Sequence, residues 1–166
     1  MNYTKPSSRL SIFAAALLLG AASQASHSHG RQLDDCPGSG DLVGVWNITS
    51  QPVDCVSGQP LPAPPIVGMI AFHEGGTSTE AAPSATPRTP GLGTWFRTGQ
   101  RSFTATAHVM NYDVSGISTG SLIVRREITV AKGGGKFTAK GRTTIVDASG
   151  NKIERCTSNE GVRADD

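Results

Sequence analysis

The chain has 166 residues, 37% of them hydrophobic and 17% charged, with 20 Gly and 10 Pro. That length fits one domain and the apolar share supports a core, while the glycine and proline load argues against a helical bundle. Fifteen basic residues face thirteen acidic ones, a formal net charge of +2, too slight to mark a nucleic-acid surface.

Two of the basic residues, Lys5 and Arg9, precede an apolar run over residues 10–19. A positive start, a short apolar stretch and then small residues are the pattern of a signal peptide. The run is too short for a bilayer, which takes about 20 residues, so no membrane span is expected in the mature chain. Ser23-Gln24-Ala25 places small residues where a signal peptidase reads them, and cleavage is expected after Ala25. Residues 1–25 are thus read as a leader, residues 26–40 as a flexible arm and residues 41–166 as a single domain. Removing Lys5 and Arg9 takes the basic count from 15 to 13, equal to the 13 acidic residues. Export leads to a secreted or periplasmic location, where cysteines form bridges. Cys36, Cys55 and Cys156 contain no Cys-x-x-Cys pair, so one disulfide and one remaining thiol are expected, with no metal and no cofactor. His27 and His29 would grip copper or nickel only if processing left His27 first, which the favoured cleavage position does not.

From residue 41 onward, short runs rich in Val, Ile, Thr and aromatics alternate with Gly, Pro, Asn and Asp, the signature of strands and turns. Eight strands are predicted: 42–49, 66–73, 77–81, 93–98, 101–110, 121–131, 136–146 and 152–163. The Asn47-Ile48-Thr49 glycosylation pattern falls inside the first and carries no weight. Pro83, Pro87 and Pro90 mark a long loop between the third and fourth strands, whereas Gly133-Gly134-Gly135 and residues 147–151 read as tight connections. Such short links cannot carry parallel crossovers, so the strands meander antiparallel. An all-β, eight-stranded antiparallel up-and-down barrel follows, with a two-sheet sandwich as the alternative.

The faces of the strands indicate what fills the barrel. Phe103, Ala105, Ala107 and Val109 share one face of the fifth strand; Phe137, Ala139, Gly141, Thr143 and Ile145 share one face of the seventh. Several are small, which leaves either a cavity or space for Trp46, Phe72 and Trp95 from facing strands. Arg126 has the parity of Leu122, Val124, Ile128 and Val130 in the sixth strand. An arginine directed into an apolar interior requires an anion or hydrogen-bonded partner, which makes Arg126 a candidate anchor for a ligand carboxylate. The alternative is a strand-end position, or a bulge that turns Arg126 outward beside Arg125. Arg97 shares a face with Trp95 and carries the same two readings. His73 and His108 sit near strand ends as candidate proton-transfer groups or as solvated polar residues. No Gly-x-Ser-x-Gly elbow, phosphate loop or His-Glu-x-x-His motif occurs.

Gly44-Val45-Trp46, opening the first strand after an irregular arm, resembles the Gly-x-Trp start of lipocalins and of the wider calycin barrels. Four further stretches are similar to a group of exported bacterial lipocalin-like proteins of unassigned function. They are Cys55 with residues 58–62, residues 72–77, residues 93–99, and residues 147–156. No second or third lipocalin motif and no biotin-site constellation accompanies them, so neither ligand transfers. If the eighth strand closes on the first, Cys55 falls beside Cys156, and that bridge is favoured over Cys36–Cys55. The expected barrel interior leads to an exported module binding a small, largely apolar molecule, with Trp46, Trp95, Arg97, Phe103 and Arg126 as ligand-binding residues. Two alternatives remain: a cofactor-independent isomerase or cyclase using Arg126, His108 or His73, and a filled barrel that acts through the proline-rich loop over residues 81–93. The sequence leaves oligomeric state open.

Overall fold

The computed structural model describes residues 42–164, and the leader, the arm, His27, His29 and Cys36 lie outside the described residues. Eight strands follow in chain order: β1 (Gly44–Val53), β2 (Ile66–Phe72), β3 (Thr77–Ala81), β4 (Gly91–Arg97), β5 (Ser102–Tyr112), β6 (Ser118–Val130), β7 (Lys136–Asp147) and β8 (Lys152–Arg163). Each is antiparallel to its neighbour in sequence, and β8 pairs back onto β1, so the sheet closes into the expected up-and-down barrel rather than a sandwich. Closure removes both sheet edges.

Strand ends shift by a few residues from the predicted ones: β1 starts at Gly44 and β2 ends at Phe72, within their expected bounds, while β1 and β5 end later and β6 starts earlier than expected. β1 passes through Pro52 to Val53, because the β1–β2 ladder stops at Ser50 and Ile66. Pro52 accepts the Leu61 N–H on that same side at 2.9 Å, so its missing N–H interrupts no ladder bond. β5 and β6 extend past a register shift at Asn111 and Tyr112, a bulge of the kind that bends strands at a barrel rim.

Inward alternation matches the sequence reading: Phe103, Ala105, Ala107 and Val109 are all buried along β5, and Phe137 and Ala139 along β7. Beside the short β2–β3, β4–β5 and β6–β7 connections, the interior is an aromatic plug. Trp46 meets Phe137 edge-on with ring centroids 4.9 Å apart, Phe72 meets Trp95 at 6.1 Å, and Trp95 meets Phe103 at 5.7 Å, all within the range of favourable aromatic contacts. Gly161 lies directly opposite Phe137, and a Cβ there would strike the phenyl ring. At this end small residues make way for large ones.

A cation seals the same end. The Arg163 guanidinium lies 4.4 Å above the Trp46 ring while its Nη1 donates to Val43 O at 2.8 Å and its Nε to Gly134 O at 2.9 Å. Trp46 Nε1 donates to Leu42 O at 2.9 Å. Gly44 adopts φ +132°, which side chains disfavour, and a Cβ on it would collide with the Arg163 guanidinium. The Gly-x-Trp pattern therefore has a local cause: the glycine admits the arginine that covers the tryptophan.

Two covalent or polar devices fix the opposite end. Cys55 and Cys156 form the favoured disulfide, with Cα atoms 5.2 Å apart and a sequence separation of 101, adjacent to the Val53–Cys156 register pair. Asp147 anchors the β7–β8 turn by accepting from Asn151 Nδ2 at 2.9 Å, Asn151 N at 2.9 Å and Ser149 N at 2.8 Å.

Replacing both Cys55 and Cys156 by serine is expected to lower unfolding stability by about 4 to 5 kcal/mol, the loop-closure value for a loop of about 100 residues. Urea unfolding with midpoint and m-value both fitted would measure it, the m-value rising because the unbridged unfolded chain exposes more surface. The Asp147 carboxyl is held below the ordinary value of 3.8, chiefly by the Asn151 side-chain hydrogen bond. A depressed carboxyl contributes stability above its unfolded pKa and loses it as pH falls through the lower folded value. Amides of residues 149–151 are therefore expected to lose hydrogen-exchange protection below about pH 3.8, and Asp147→Asn to abolish that acid step.

Candidate functional site

Beyond the aromatic plug, toward the long β1–β2 and β3–β4 loops, the inward side chains shrink. Ala105, Ala107 and Ala139 are joined there by Gly93 and Gly141. Arg126 from β6 and Glu80 from β3 both point into this space. Arg126 Nη1 lies 2.5 Å from Glu80 Oε2, with side-chain exposures of 10% and 16%. β6 keeps its register through Arg126, which pairs with Ala105 on one side and Gly141 on the other. No bulge turns it outward, and its two neighbours are small enough to admit the guanidinium.

Glu80 reaches Arg126 because the residue directly opposite it in β4 is Gly91. A Cβ at that position would run into the Glu80 side chain. The pair is satisfied only in part: Arg126 Nε is buried and has no hydrogen-bond partner among the described residues. A buried ion pair is a weak source of stability, since desolvation offsets most of its attraction. An N–H with no acceptor adds a further cost.

A chamber of about 180 Å³ adjoins the Glu80 member of the pair, lined by Glu80, Gly91 and Val109 from the wall and by Arg88, Thr89 and Pro90 from the β3–β4 loop, with Arg126 outside the lining. That proline-rich loop is tied down along β5. Thr89 N donates to Met110 O and Tyr112 N to Pro87 O, both at 2.9 Å, and Arg88 Nη2 donates to Ala82 O at 2.6 Å. A larger recess of about 610 Å³ lies on the outside of the barrel, beneath the β1–β2 loop.

The other residues singled out in the sequence gather at the opposite end. Trp46, Trp95 and Phe103 pack within the plug, and Trp95 Nε1 donates to Thr77 O at 2.9 Å and His73 O at 3.1 Å. Arg97 lies 4.5 Å over the Phe103 ring and donates through Nη1 to Gly99 O at 3.1 Å and to Gln100 O. The structure thus groups Arg97 with the aromatics and sets Arg126 apart from them. His73 and His108 are exposed; His73 contacts Thr79 Oγ1 at 3.2 Å, and His108 is in register with Leu92 on the outer face of β5. Neither enters the interior. Sequence reasoning missed Glu80 and Gly91. The available signal was parity, which puts Glu80 on the same face as Ser78 in a five-residue strand.

Among the described residues, no cluster of three or more His, Cys, Asp or Glu is placed to hold a metal ion, and no helix is long and apolar enough to cross a membrane. Fold and site together define an eight-stranded up-and-down antiparallel β-barrel, plugged by aromatics at one end and holding an ion pair in the other half. Comparisons with protein families, with curated proteins and with solved structures find no match.

The ion pair is open to a double-mutant cycle. Arg126→Met and Glu80→Gln are each expected to cost about 3 kcal/mol, since each strands a buried partner. The double variant is expected to fall short of their sum by about 1 kcal/mol or more. Strictly additive urea unfolding energies would show that the two side chains do not interact.

Proposed function

We propose that the protein is an exported, lipocalin-like barrel that binds one small, largely apolar molecule in the half of its interior that holds Arg126 and Glu80. The observation that carries this reading is the Arg126 guanidinium, buried among alanine and glycine with Nε–H unmatched among the described residues. A hydroxyl or carbonyl oxygen supplied by a ligand would satisfy that donor. Export is supported by the Cys55–Cys156 disulfide, a bond that persists in oxidising compartments. Lipocalin likeness is supported by the closed barrel and its Gly44-Val45-Trp46 entry.

The ion pair refines the chemistry expected of the ligand. Glu80 already answers the charge of Arg126, so a ligand carboxylate would meet a carboxylate as well as a guanidinium, and like charges at close range repel. A neutral polar head suits the site better: its oxygen accepts from Arg126 Nε–H, and its own O–H donates to Glu80. Val109, Ala81, Ala82 and Pro90 supply apolar wall around the head group. The chamber of about 180 Å³ is smaller than the usual cleft for a drug-sized ligand, about 300 Å³ or more. The ligand is therefore compact, unless the β3–β4 loop lifts from β5.

Calorimetric titration with straight-chain 1-alkanols of four to eight carbons, beside carboxylates of equal length, tests the reading. Alkanols are expected to bind at least about tenfold more tightly than the matched carboxylates. Arg126→Met is expected to weaken the alkanols by about tenfold, or about 1.4 kcal/mol. Failure of every alkanol to bind, or binding indifferent to Arg126→Met, would remove the interior site and leave a filled barrel acting through its surface.

A further inference from the structure

The recess outside the barrel has a chemistry that the interior site does not use. It is roofed by the β1–β2 loop over residues 54–58 and floored by the outer faces of β6, β7 and β8. Three outward-facing cations line that floor, Arg125 from β6 and Lys140 and Arg142 from β7; Arg126 also borders it, with its side chain turned inward to Glu80. Arg125 and Arg142 stand directly opposite each other in the antiparallel register, a spacing of about 5 Å between Cβ atoms at which like charges destabilise the pair.

Little in the fold answers those charges. Among the described residues Arg125 and Lys140 have no ion-pair partner within 4.0 Å, and Arg142 reaches only the exposed Glu154 carboxylate at 3.8 Å. Glu127, also in the lining, faces Lys140 across the ladder without closing to salt-bridge distance, so the three outward cations outnumber the lining carboxylates Glu127 and Asp54 by one. The carboxylate of Asp54 is engaged within the roof itself, accepting from Ser57 N at 2.7 Å, Ser57 Oγ at 2.9 Å and Val56 N at 3.1 Å. The Cys55–Cys156 bridge ties this roof to β8, which keeps the recess from being merely a gap under a loose loop. Ser158 and Thr104 add hydroxyl groups to the lining.

We infer that this recess is a binding site for a small phosphate or sulfate monoester, whose oxyanion is held by Arg125, Lys140 and Arg142. Three cationic side chains rising from adjacent positions match the three terminal oxygens of a tetrahedral monoester better than the two of a carboxylate, and arginine pairs with such oxygens bidentately. The volume of about 610 Å³ lies in the range of small-molecule sites, which leaves room for an organic group of sugar size beside the oxyanion. A bound anion between Arg125 and Arg142 would relieve their repulsion further than the exposed Glu154 carboxylate does. The site is separate from the interior chamber and stands whether or not that chamber binds a ligand.

Thermal unfolding of the intact, disulfide-bonded protein provides the test, because a ligand that binds the native state alone raises the midpoint with its concentration. The probes are a hexose 6-phosphate, inorganic phosphate, the neutral hexose, and sodium chloride at matched ionic strength. The hexose phosphate is expected to raise the midpoint of the wild type beyond the chloride control, and the neutral hexose is not. An equal rise with inorganic phosphate would support the site and assign it to the free ion. Arg125→Gln is expected to unfold no earlier than the wild type without ligand, because it removes a like-charge contact, and to lose the response to hexose phosphate. Glu80→Gln, which alters the interior pair at a residue that lines the chamber and not the recess, is expected to keep that response. No rise beyond chloride, or an undiminished rise in Arg125→Gln, would overturn the inference.

Discussion

Pairing of β8 with both β7 and β1 is the contact on which the rest of the molecule depends, because it turns a meander into a closed surface with an inside. That single closure brings Arg163 onto Trp46, places Val53 beside Cys156 and sets the Cys55–Cys156 bridge within reach. It also fixes which side chains face inward. On a strand the period is two, so a slip of one residue at the seam would expel Asn159 and Gly161 and drive Ser158 and Glu160 into the core. Noncovalent cover at one end and a disulfide at the other hold the register at both ends of the seam.

Closure commits the chain to filling or using a fixed interior, and it does one at each end. Five aromatic rings occupy the end near the short connections, where Gly161 yields space to Phe137. Toward the long loops glycine yields space to charge instead: Gly91 admits Glu80, and Gly141 and Ala105 flank Arg126. An apolar pair of similar size would fill that volume at no desolvation cost. The ion pair is therefore poorly accounted for by stability alone and better accounted for by a polar ligand group, which is the basis of the functional reading.

Most of the fold was legible because alternation is a strong signal in long strands. β5, β6 and β7 run for eleven to thirteen residues with inward apolar positions, and the parity of β6 sufficed to direct Arg126 inward. β3 is different: Thr77-Ser78-Thr79-Glu80-Ala81 has no apolar alternation, so the parity Glu80 shares with Ser78 told neither which face is interior nor that Arg126 is its partner. Trp46, Trp95 and Phe103 were legible as inward but not as one another's neighbours, since their packing depends on which strands face across the barrel. The outer recess was invisible for a related reason. It joins a loop near residue 55 to side chains near residues 125 and 140, and only the closed topology places those segments together.

The central claim is that a charged guanidinium stands inside this barrel with a donor to offer, and the hydrogen exchange of the Arg126 Nε–H, followed by nitrogen-resolved NMR, tests it most directly. The account expects a distinct resonance that exchanges far more slowly than the Nε–H of the exposed Arg125 and shifts on addition of a short alkanol. An Arg126 Nε–H exchanging as fast as that of Arg125 would place the side chain in solvent and contradict the account.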